Sequence, residues 1–322
     1  MFKIKRNILI VGAGNLGSRY LQGLCHCSCS LNIFVLDTSN KSLISAKLLW
    51  NEVGGLLSGH DISFIAELRE CPKNIDIAII STTAYSRPSV VKSLALHSTV
   101  RFWILEKVLA QNTQGLDQIL KYVKFSSQAW VNTSRRIMPW HNLVRERLKL
   151  KSPISLTVSG EAWNLASNAV HFLDFLTWWT GEYLMDVNCD RLNTFWIKGK
   201  REGDWDVYGT LIARFSGGSI AELTSICGNF PTLLIKLFND DFSCTIDELN
   251  GVASFADGFE IRGKIPYQSE LTTSLVDEIL RSGCSLLPTL SESVGVHRPF
   301  INAILEHWQR NMDQSANIVP IT

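Results

Sequence analysis

The chain has 322 residues, 46% of them apolar and 19% charged, and its 31 basic and 30 acidic side chains leave a formal charge of +1. That composition supports a buried core and excludes wholesale disorder. The balanced charge argues against a dedicated nucleic-acid binder or a binder of anionic membrane surfaces, and no apolar run approaches the roughly eighteen residues of a membrane span.

In chain order, Asn7 to Val11 reads as a short apolar strand that ends in glycines, and Asn15 to Leu24 as a helix. Asn32 to Leu36 is a second strand closed by Asp37, Lys41 to Val53 is helical, and Ile62 to Ile65 is a weak strand. Ile75 to Ser81 is a strongly apolar strand, Pro88 to His97 a helix with proline at its start, Phe102 to Leu105 a strand and Gly115 to Phe125 a helix. Strand–helix alternation with continuously apolar strands predicts an α/β domain built on a doubly wound parallel sheet over residues 1–125.

Residues 126–322 read differently. Trp130 to Thr133 is strand-like and is expected to open the second domain, and Met138 to Lys149 is helical. β-type runs follow at Ile154–Gly160, Arg191–Ile197, Val207–Phe215, Ser219–Ile226, Thr232–Phe238 and Ser243–Asp247, with turn residues between several of them. Helices are predicted at Asn164–Thr180, Gln268–Arg281 and Ser291–Arg310. This predicts an α+β domain with a mainly antiparallel sheet, read as a meander. Ser219–Ile226 shows little clean alternation, consistent with burial on both faces.

The opening residues run straight into a strand-like segment, without the apolar core and cleavage site of a signal peptide, so the expected location is the cytoplasm. Cys25, Cys27 and Cys29 are spaced C-x-C-x-C without a second cluster, which points to a reduced cysteine-rich turn rather than a metal site, and no metal is expected. The other five cysteines are scattered, as expected of thiols in a reducing compartment.

Gly12-Ala13-Gly14-Asn15-Leu16-Gly17 is a G-x-G-x-x-G that follows a strand and opens a helix, the Rossmann dinucleotide-binding arrangement. Gly12 permits a tight turn, Gly14 lets the backbone approach a pyrophosphate, and Gly17 lets the helix pack on the strand. Asn15 and Leu16 lie at the helix N-terminus, where free N–H groups and the helix dipole favour anions. Asp37, twenty residues beyond Gly17, is placed to accept hydrogen bonds from both ribose hydroxyls and to repel a 2′-phosphate. The expected cofactor is therefore NAD rather than NADP, although Lys41 nearby is suited to a 2′-phosphate. Thr82 and Thr83 follow a strand whose carboxyl end flanks the ligand crevice in such a sheet. They either line the cofactor or form a polar loop before the next helix. Arg87 after that strand either reaches the cofactor or substrate or, as the plainer reading, is a surface residue at a helix N-terminus.

Leu105-Glu106-Lys107-Val108 ends the next strand. An N-terminal dinucleotide fold, a Glu-Lys pair at this strand end and an antiparallel second domain together resemble the Gfo/Idh/MocA family, the glucose–fructose oxidoreductase and inositol dehydrogenase type, over nearly the whole chain. Asn132 to Pro139, Leu287 to Leu290 and Pro320 to Thr322 resemble a branch found among surface-polysaccharide and nucleotide-sugar genes. The resemblance implies hydride transfer between NAD(P) and a secondary alcohol carbon of a sugar, polyol or nucleotide-sugar, in a homodimer or homotetramer that uses one face of the antiparallel sheet. The family's Glu-Lys-Pro motif falls on Glu106, Lys107 and Val108. Glu106 is placed with the cofactor-binding residues, and Lys107 takes the role of the lysine that hydrogen-bonds the reacting hydroxyl. A partly desolvated lysine beside a cationic nicotinamide has a lowered pKa and can exchange a proton as hydride moves. Val108 departs from the family's proline. A cis bond without proline costs about 2.5–4 kcal/mol, so Lys107–Val108 is expected to be trans.

The helix around Ala169–Trp179 carries only His171, Asp174 and Thr177 as polar side chains, and a helix this apolar is buried. Its polar groups must be paired or line a cavity, and His171 and Asp174, three residues apart, share a face. By the resemblance, His171 faces substrate and shares acid–base work with Lys107. The aspartate that many relatives carry four residues earlier is Ser167 here, which puts the usual carboxylate–histidine relay in doubt. Asp174 either orients His171 or caps local polar groups. Arg136 is a candidate bidentate anchor for a phosphate or carboxylate, with a solvated arginine as the plainer alternative. Trp163 either stacks on a sugar face or belongs to the core. Two other readings stand beside the dehydrogenase. One is a non-catalytic NAD-binding sensor or scaffold of the same fold, favoured by the Val108 and Ser167 departures. The other is a hydrolase that uses NAD transiently to break a glycosidic bond.

Overall fold

The computed structural model describes residues 5–148, 153–199 and 201–322. It divides into two compact units, the first made of Met1–Leu109, Asp117–Asn132 and Pro266–Leu290, the second of Ala110–Leu116, Thr133–Ile265 and Ser291–Thr322.

Through the first unit run β1 (Arg6–Val11), α1 (Asn15–Leu24), β2 (Leu31–Leu36), α2 (Asn40–Glu52), β3 (Asp61–Ile65), β4 (Asn74–Ile80), α3 (Arg87–His97), β5 (Thr99–Leu105), α4 (Thr113–Val123), cut by the division, and β6 (Gln128–Val131). The strands form one parallel sheet in the order β3-β2-β1-β4-β5-β6. The order reverses between β1 and β4, which opens a crevice at the carboxyl ends of those strands. Ile8, Leu9 and Ile10 of β1 and Ile77 to Ile80 of β4 are fully buried, as continuous apolar strands between two helical layers must be.

Two segments join this unit that a cut after residue 125 assigns elsewhere. β6 pairs with β5, from Phe102↔Gln128 to Leu105↔Val131, and thereby buries Trp130. The helix α7 (Gln268–Ser282) packs on α1. A methyl group at Gly23 of α1 would lie 2.4 Å from the Ser269 carbonyl oxygen, and the Thr273 hydroxyl donates to the Gly23 carbonyl at 2.7 Å.

The second unit holds α5 (Pro139–Leu148), β7 (Ser155–Glu161), α6 (Leu165–Thr180), β8 (Leu184–Lys198), β9 (Trp205–Phe215), β10 (Ile220–Ile226), β11 (Leu234–Phe238), β12 (Ser243–Asp247), β13 (Val252–Phe255), β14 (Glu260–Arg262) and most of α8 (Leu290–Asn311). The predicted continuation of α5 to Lys149 lies outside the described residues. The eight strands run β14-β13-β12-β11-β7-β10-β9-β8, antiparallel except where β7 meets β10 in parallel. The sheet is thus not a simple meander. β7 sits in its middle, and Leu156 and Val158 of β7 share one buried face with Leu223, Ile235, Leu237 and Ile246. β10 is not buried on both faces: Ala221, Leu223 and Ser225 are buried, whereas Ile220 and Ile226 are 44% and 52% exposed. That is the period-two pattern of a strand with one covered face.

The covered side carries α6. This helix starts at Asn164, which has φ of 58° and supplies no side-chain cap. Asp206 on β9 caps it instead, its Oδ1 accepting from the Ala166 N–H at 2.7 Å. Gly181, at φ of 77°, ends it in the left-handed conformation that glycine adopts most readily.

Candidate functional site

The carboxyl ends of the parallel strands bring Gly12, Asp37, Ser81, Glu106 and Asn132 to one edge of the first unit's sheet. Gly12 has φ of 98°. A methyl group on Gly17 would lie 1.8 Å from the Gly12 carbonyl oxygen, so only glycine lets α1 start this close to the turn. A methyl group on Gly14 would meet nothing within 4 Å; the backbone there is open, as the close approach of a pyrophosphate requires. Gly14 and Asn15 are exposed and Leu16 half-buried at the N-terminus of α1. The Ser81 hydroxyl donates to the carbonyls of Gly12 and Val11 at 2.8 and 3.0 Å and fixes the turn from β4. Asp37 accepts from the Ala13 N–H at 2.6 Å and from the Ser39 N–H at 2.8 Å. The Thr83 hydroxyl meets that of Ser86 at 3.1 Å, whereas the Thr82 hydroxyl oxygen is buried with no protein partner. A turn with a clear backbone face, a helix N-terminus, a carboxylate at the end of β2 and an unsatisfied hydroxyl fit a dinucleotide.

Glu106 is 4% exposed and Lys107 half-buried. The Lys107–Val108 peptide is cis, where the sequence led to a trans expectation. The surroundings supply what an isolated dipeptide lacks. Val108 is fully buried, and the buried Arg87 guanidinium donates to the carbonyls of Val108 and Thr82, with Leu109 at 3.3 Å. Arg87 is thus not a surface residue: it ties the start of α3 to the segment after β5. Glu106 Oε1 accepts from the Tyr20 hydroxyl of α1 at 2.5 Å and from the Asn132 amide at 2.7 Å. Burial raises the Glu106 pKa, while the Tyr20 and Asn132 hydrogen bonds and the Arg87 and Lys107 charges oppose the rise. Tyr20, Arg87 and Asn132 were not singled out for these roles from the sequence. A signal existed for Asn132, because it directly follows a parallel strand at its carboxyl end.

In the second unit, Ser167, Asn168 and His171 lie along a partly accessible stripe of the otherwise buried α6. Asp174 lies apart from that stripe in its pairing and is 2% exposed. Its two oxygens receive the Arg136 guanidinium bidentately, at 2.7 and 2.9 Å, and Oδ2 also accepts from the Thr133 hydroxyl at 2.7 Å. Arg136, expected to anchor substrate, is therefore committed to Asp174 and is 5% exposed. Trp163 belongs to the core: it is buried, donates from Nε1 to the Thr224 carbonyl at 2.8 Å and packs edge-on against Phe172.

A second buried ionic group braces α5 against the β12–β13 turn. Glu248 accepts from Arg135 at 2.6 and 2.7 Å and pairs with His141 Nε2 at 2.9 Å. Burial would raise the Glu248 pKa, but the Arg135 charge and the hydrogen bonds from His141 and Arg135 hold it well below the usual carboxylate range. Burial lowers the His141 pKa against the pull of Glu248. All eight cysteines are free thiols. Among the described residues no cluster of three or more His, Cys, Asp or Glu could hold a metal ion, and no helix is long and apolar enough to cross a membrane.

No family model matches the sequence, and no curated protein matches it. Solved structures do resemble it. UDP-N-acetylglucosamine 3-dehydrogenase from Acidithiobacillus ferrooxidans shares 15% identity and a TM-score of 0.68 over 94% of this chain and 96% of that one. Scyllo-inositol dehydrogenase from Lactobacillus casei, solved with NAD(H) and scyllo-inositol, shares 13% identity and a TM-score of 0.69 over 96% of this chain and 98% of that one. An oxidoreductase from Agrobacterium radiobacter, in complex with NAD+, L-tartaric acid and magnesium, shares 14% identity and a TM-score of 0.70 over 94% and 96%. At these identities the likeness shows the fold: a Rossmann-like parallel sheet with helices, followed by a second, mostly antiparallel sheet domain.

Proposed function

We propose that the chain is an NAD-dependent oxidoreductase of the Gfo/Idh/MocA type that moves a hydride between nicotinamide and a secondary hydroxyl or keto carbon of a sugar or nucleotide-sugar. The observation that carries this reading is the Gly12–Gly17 turn, with its open face at Gly14 and the Asp37 carboxylate at the end of β2. The solved structures that share the fold add support, since two of them hold NAD and two are named as dehydrogenases of a nucleotide-sugar and a cyclitol.

When bound, NAD supplies the acceptor or donor of the hydride. The chain's own residues do the rest. The N–H groups at the start of α1 bind the pyrophosphate, and Asp37 accepts from the ribose hydroxyls and disfavours a 2′-phosphate. The Lys107 amine takes the proton from the substrate hydroxyl in oxidation and returns it in reduction, and His171 shares that work. Thr82 and Thr83 line the nucleotide, with the Thr82 hydroxyl free to bond it. The Arg136–Asp174 pair holds α6, and with it His171, in place.

The reading extends to a cytoplasmic homodimer or homotetramer in which a second copy covers the open face of the eight-stranded sheet, where Ile220, Ile226 and Phe238 are exposed. The substrate is expected to belong to surface-polysaccharide or nucleotide-sugar metabolism. The test is NAD reduction with a panel of nucleotide-sugars and cyclitols, including UDP-N-acetylglucosamine and scyllo-inositol. Lys107→Ala should lower turnover on the best substrate by at least about a hundredfold while NAD still binds. Turnover unchanged by that substitution would remove Lys107 from the chemistry. NAD binding without turnover on any panel member would favour the non-catalytic sensor.

A further inference from the structure

Arg87 is the first residue of α3, where a cation runs against the helix dipole, yet it is 1% exposed. Its guanidinium serves backbone outside its own helix. Nη2 donates to the Thr82 carbonyl, in the loop between β4 and α3. Nη1 donates to the Val108 carbonyl and, at 3.3 Å, to that of Leu109, in the segment after β5. The Arg87 backbone N–H also donates to the Thr83 carbonyl at 3.0 Å, so the same residue closes the β4–α3 loop twice. The paired strands β4 and β5 run as far as Ile80↔Leu105, followed by a bond from the Glu106 N–H to the Ile80 carbonyl at 3.1 Å. Arg87 joins the continuations of these two strands beyond that rung.

Both continuations belong to the candidate site. The first abuts the glycine turn: a methyl group on Gly12 would lie 3.2 Å from the Thr82 amide nitrogen, and the Ser81 hydroxyl donates to the Gly12 carbonyl. The second carries Lys107, whose next residue, Val108, supplies a carbonyl to the fork. An arginine suits this work. Its planar guanidinium holds its N–H donors in a fixed fork, so two nitrogens can serve two separate segments at a set distance. A lysine ammonium is a single point on a flexible stem and cannot hold both segments at that spacing.

We propose that Arg87 is a positioning residue: its two terminal nitrogens fix the spacing between the loop after β4, beside the glycine turn, and the backbone segment that carries Lys107. Dinucleotide binding and the placing of the lysine then depend on one buried side chain. This rests on the readings of the glycine turn as a dinucleotide site and of Lys107 as the proton-exchanging group. It adds to them a residue that acts through the backbone of others. Without the fork, the Thr82, Val108 and Leu109 carbonyls lose a donor, and the two segments are free to open separately.

The test uses the full-length chain as Arg87→Lys and Arg87→Ala, read by amide hydrogen exchange and by NAD titration at a temperature where circular dichroism shows the variant folded. Amides of residues 82–86 and 106–109 should exchange at least about tenfold faster, and together, while those of α2 keep wild-type rates. NAD affinity should fall by about threefold to tenfold in Arg87→Lys and at least as far in Arg87→Ala. Low-millimolar guanidinium should restore part of the affinity of Arg87→Ala and leave the wild type unchanged, because only the alanine variant has room for the ion. A residue that merely stabilises the fold would lower the melting temperature and leave the affinity of folded protein untouched. If Arg87→Ala fails to fold, Arg87→Lys, which keeps the charge, decides. On any substrate that the sugar panel yields, Arg87→Lys should lower kcat at saturating NAD by about tenfold. Wild-type kcat there, loosening of one segment without the other, or NAD affinity within about twofold of wild type in a folded variant overturns the proposal. That last result would leave the proposed function standing, whereas no NAD binding by the wild type would remove both.

Discussion

Two glycines three residues apart, Gly14 and Gly17, make opposite demands on their surroundings. Gly17 is needed by the fold, because a methyl group there would lie 1.8 Å from the Gly12 carbonyl oxygen. Gly14 is not needed for packing, because the same methyl would meet no protein atom within 4 Å, and its proposed role is to let a pyrophosphate approach the backbone. Gly17→Ala should therefore cost stability by about 3 kcal/mol or more, through forced displacement of the turn or of α1. Gly14→Ala should cost at most about 1 kcal/mol, the difference between glycine and alanine at a helix N-cap. Yet Gly14→Ala should weaken dinucleotide binding by about tenfold or more, the equivalent of about 1.4 kcal/mol. Thermal melts and nucleotide titrations on the two variants separate these effects. A Gly14→Ala protein with wild-type nucleotide affinity would count against the pyrophosphate assignment. At this scale the tight turn at Gly12–Gly17 and the place of Asp37 at the end of β2 were legible, since glycine spacing and an acid at a strand end have a local meaning. The pairings Tyr20–Glu106 and Arg136–Asp174 were not, because their partners lie 86 and 38 residues apart and no local period connects them.

Elements were legible where one period dominated. The observed α1 has the predicted limits, and the parallel strands fall within a few residues of their predicted ends. β13 and β14 were missed: they are four and three residues long, too short to show an alternation. The insertion of β7 between β11 and β10 was also hidden, because alternation says which face of a strand is buried but not which strand lies beside it. The group that joins α5 to the β12–β13 turn gives this scale a pH signature. In the unfolded chain a histidine titrates near 6.5 and a glutamate near 4.3. Both His141 and Glu248 are held lower in the fold, so the unfolded chain binds the extra protons and stability rises with pH. Their contribution is present above about pH 6.5, the His141 part fading below that pH and the Glu248 part below about 4.3. Glu248→Gln should lower stability at pH 7 by about 3–5 kcal/mol, because it strands a largely buried Arg135, and should flatten the acid limb. Denaturant unfolding at pH 3 to 8 measures both. An unchanged midpoint at pH 7 would show that this group braces nothing.

Over the whole molecule, composition and charge limited the function classes, and the change from alternating strands and helices to close-spaced strands marked two architectures. What the composition could not disclose is how the chain revisits them. Pro266–Leu290 returns to the first unit, where α7 packs on the helix that opens at the glycine turn. That return also brings Gln268 to Asn132, and so into the network around Glu106. The proposed function requires that the edge of the parallel sheet bind NAD. Calorimetric titration of the folded chain with NAD, NADH, NADP and NADPH tests it most directly. Saturable binding of NAD or NADH at one site per chain is expected, with the phosphorylated pair at least about tenfold weaker. Preference for NADP would contradict the role given to Asp37, and no binding of any of the four by well-folded protein would contradict a dinucleotide site at the sheet edge.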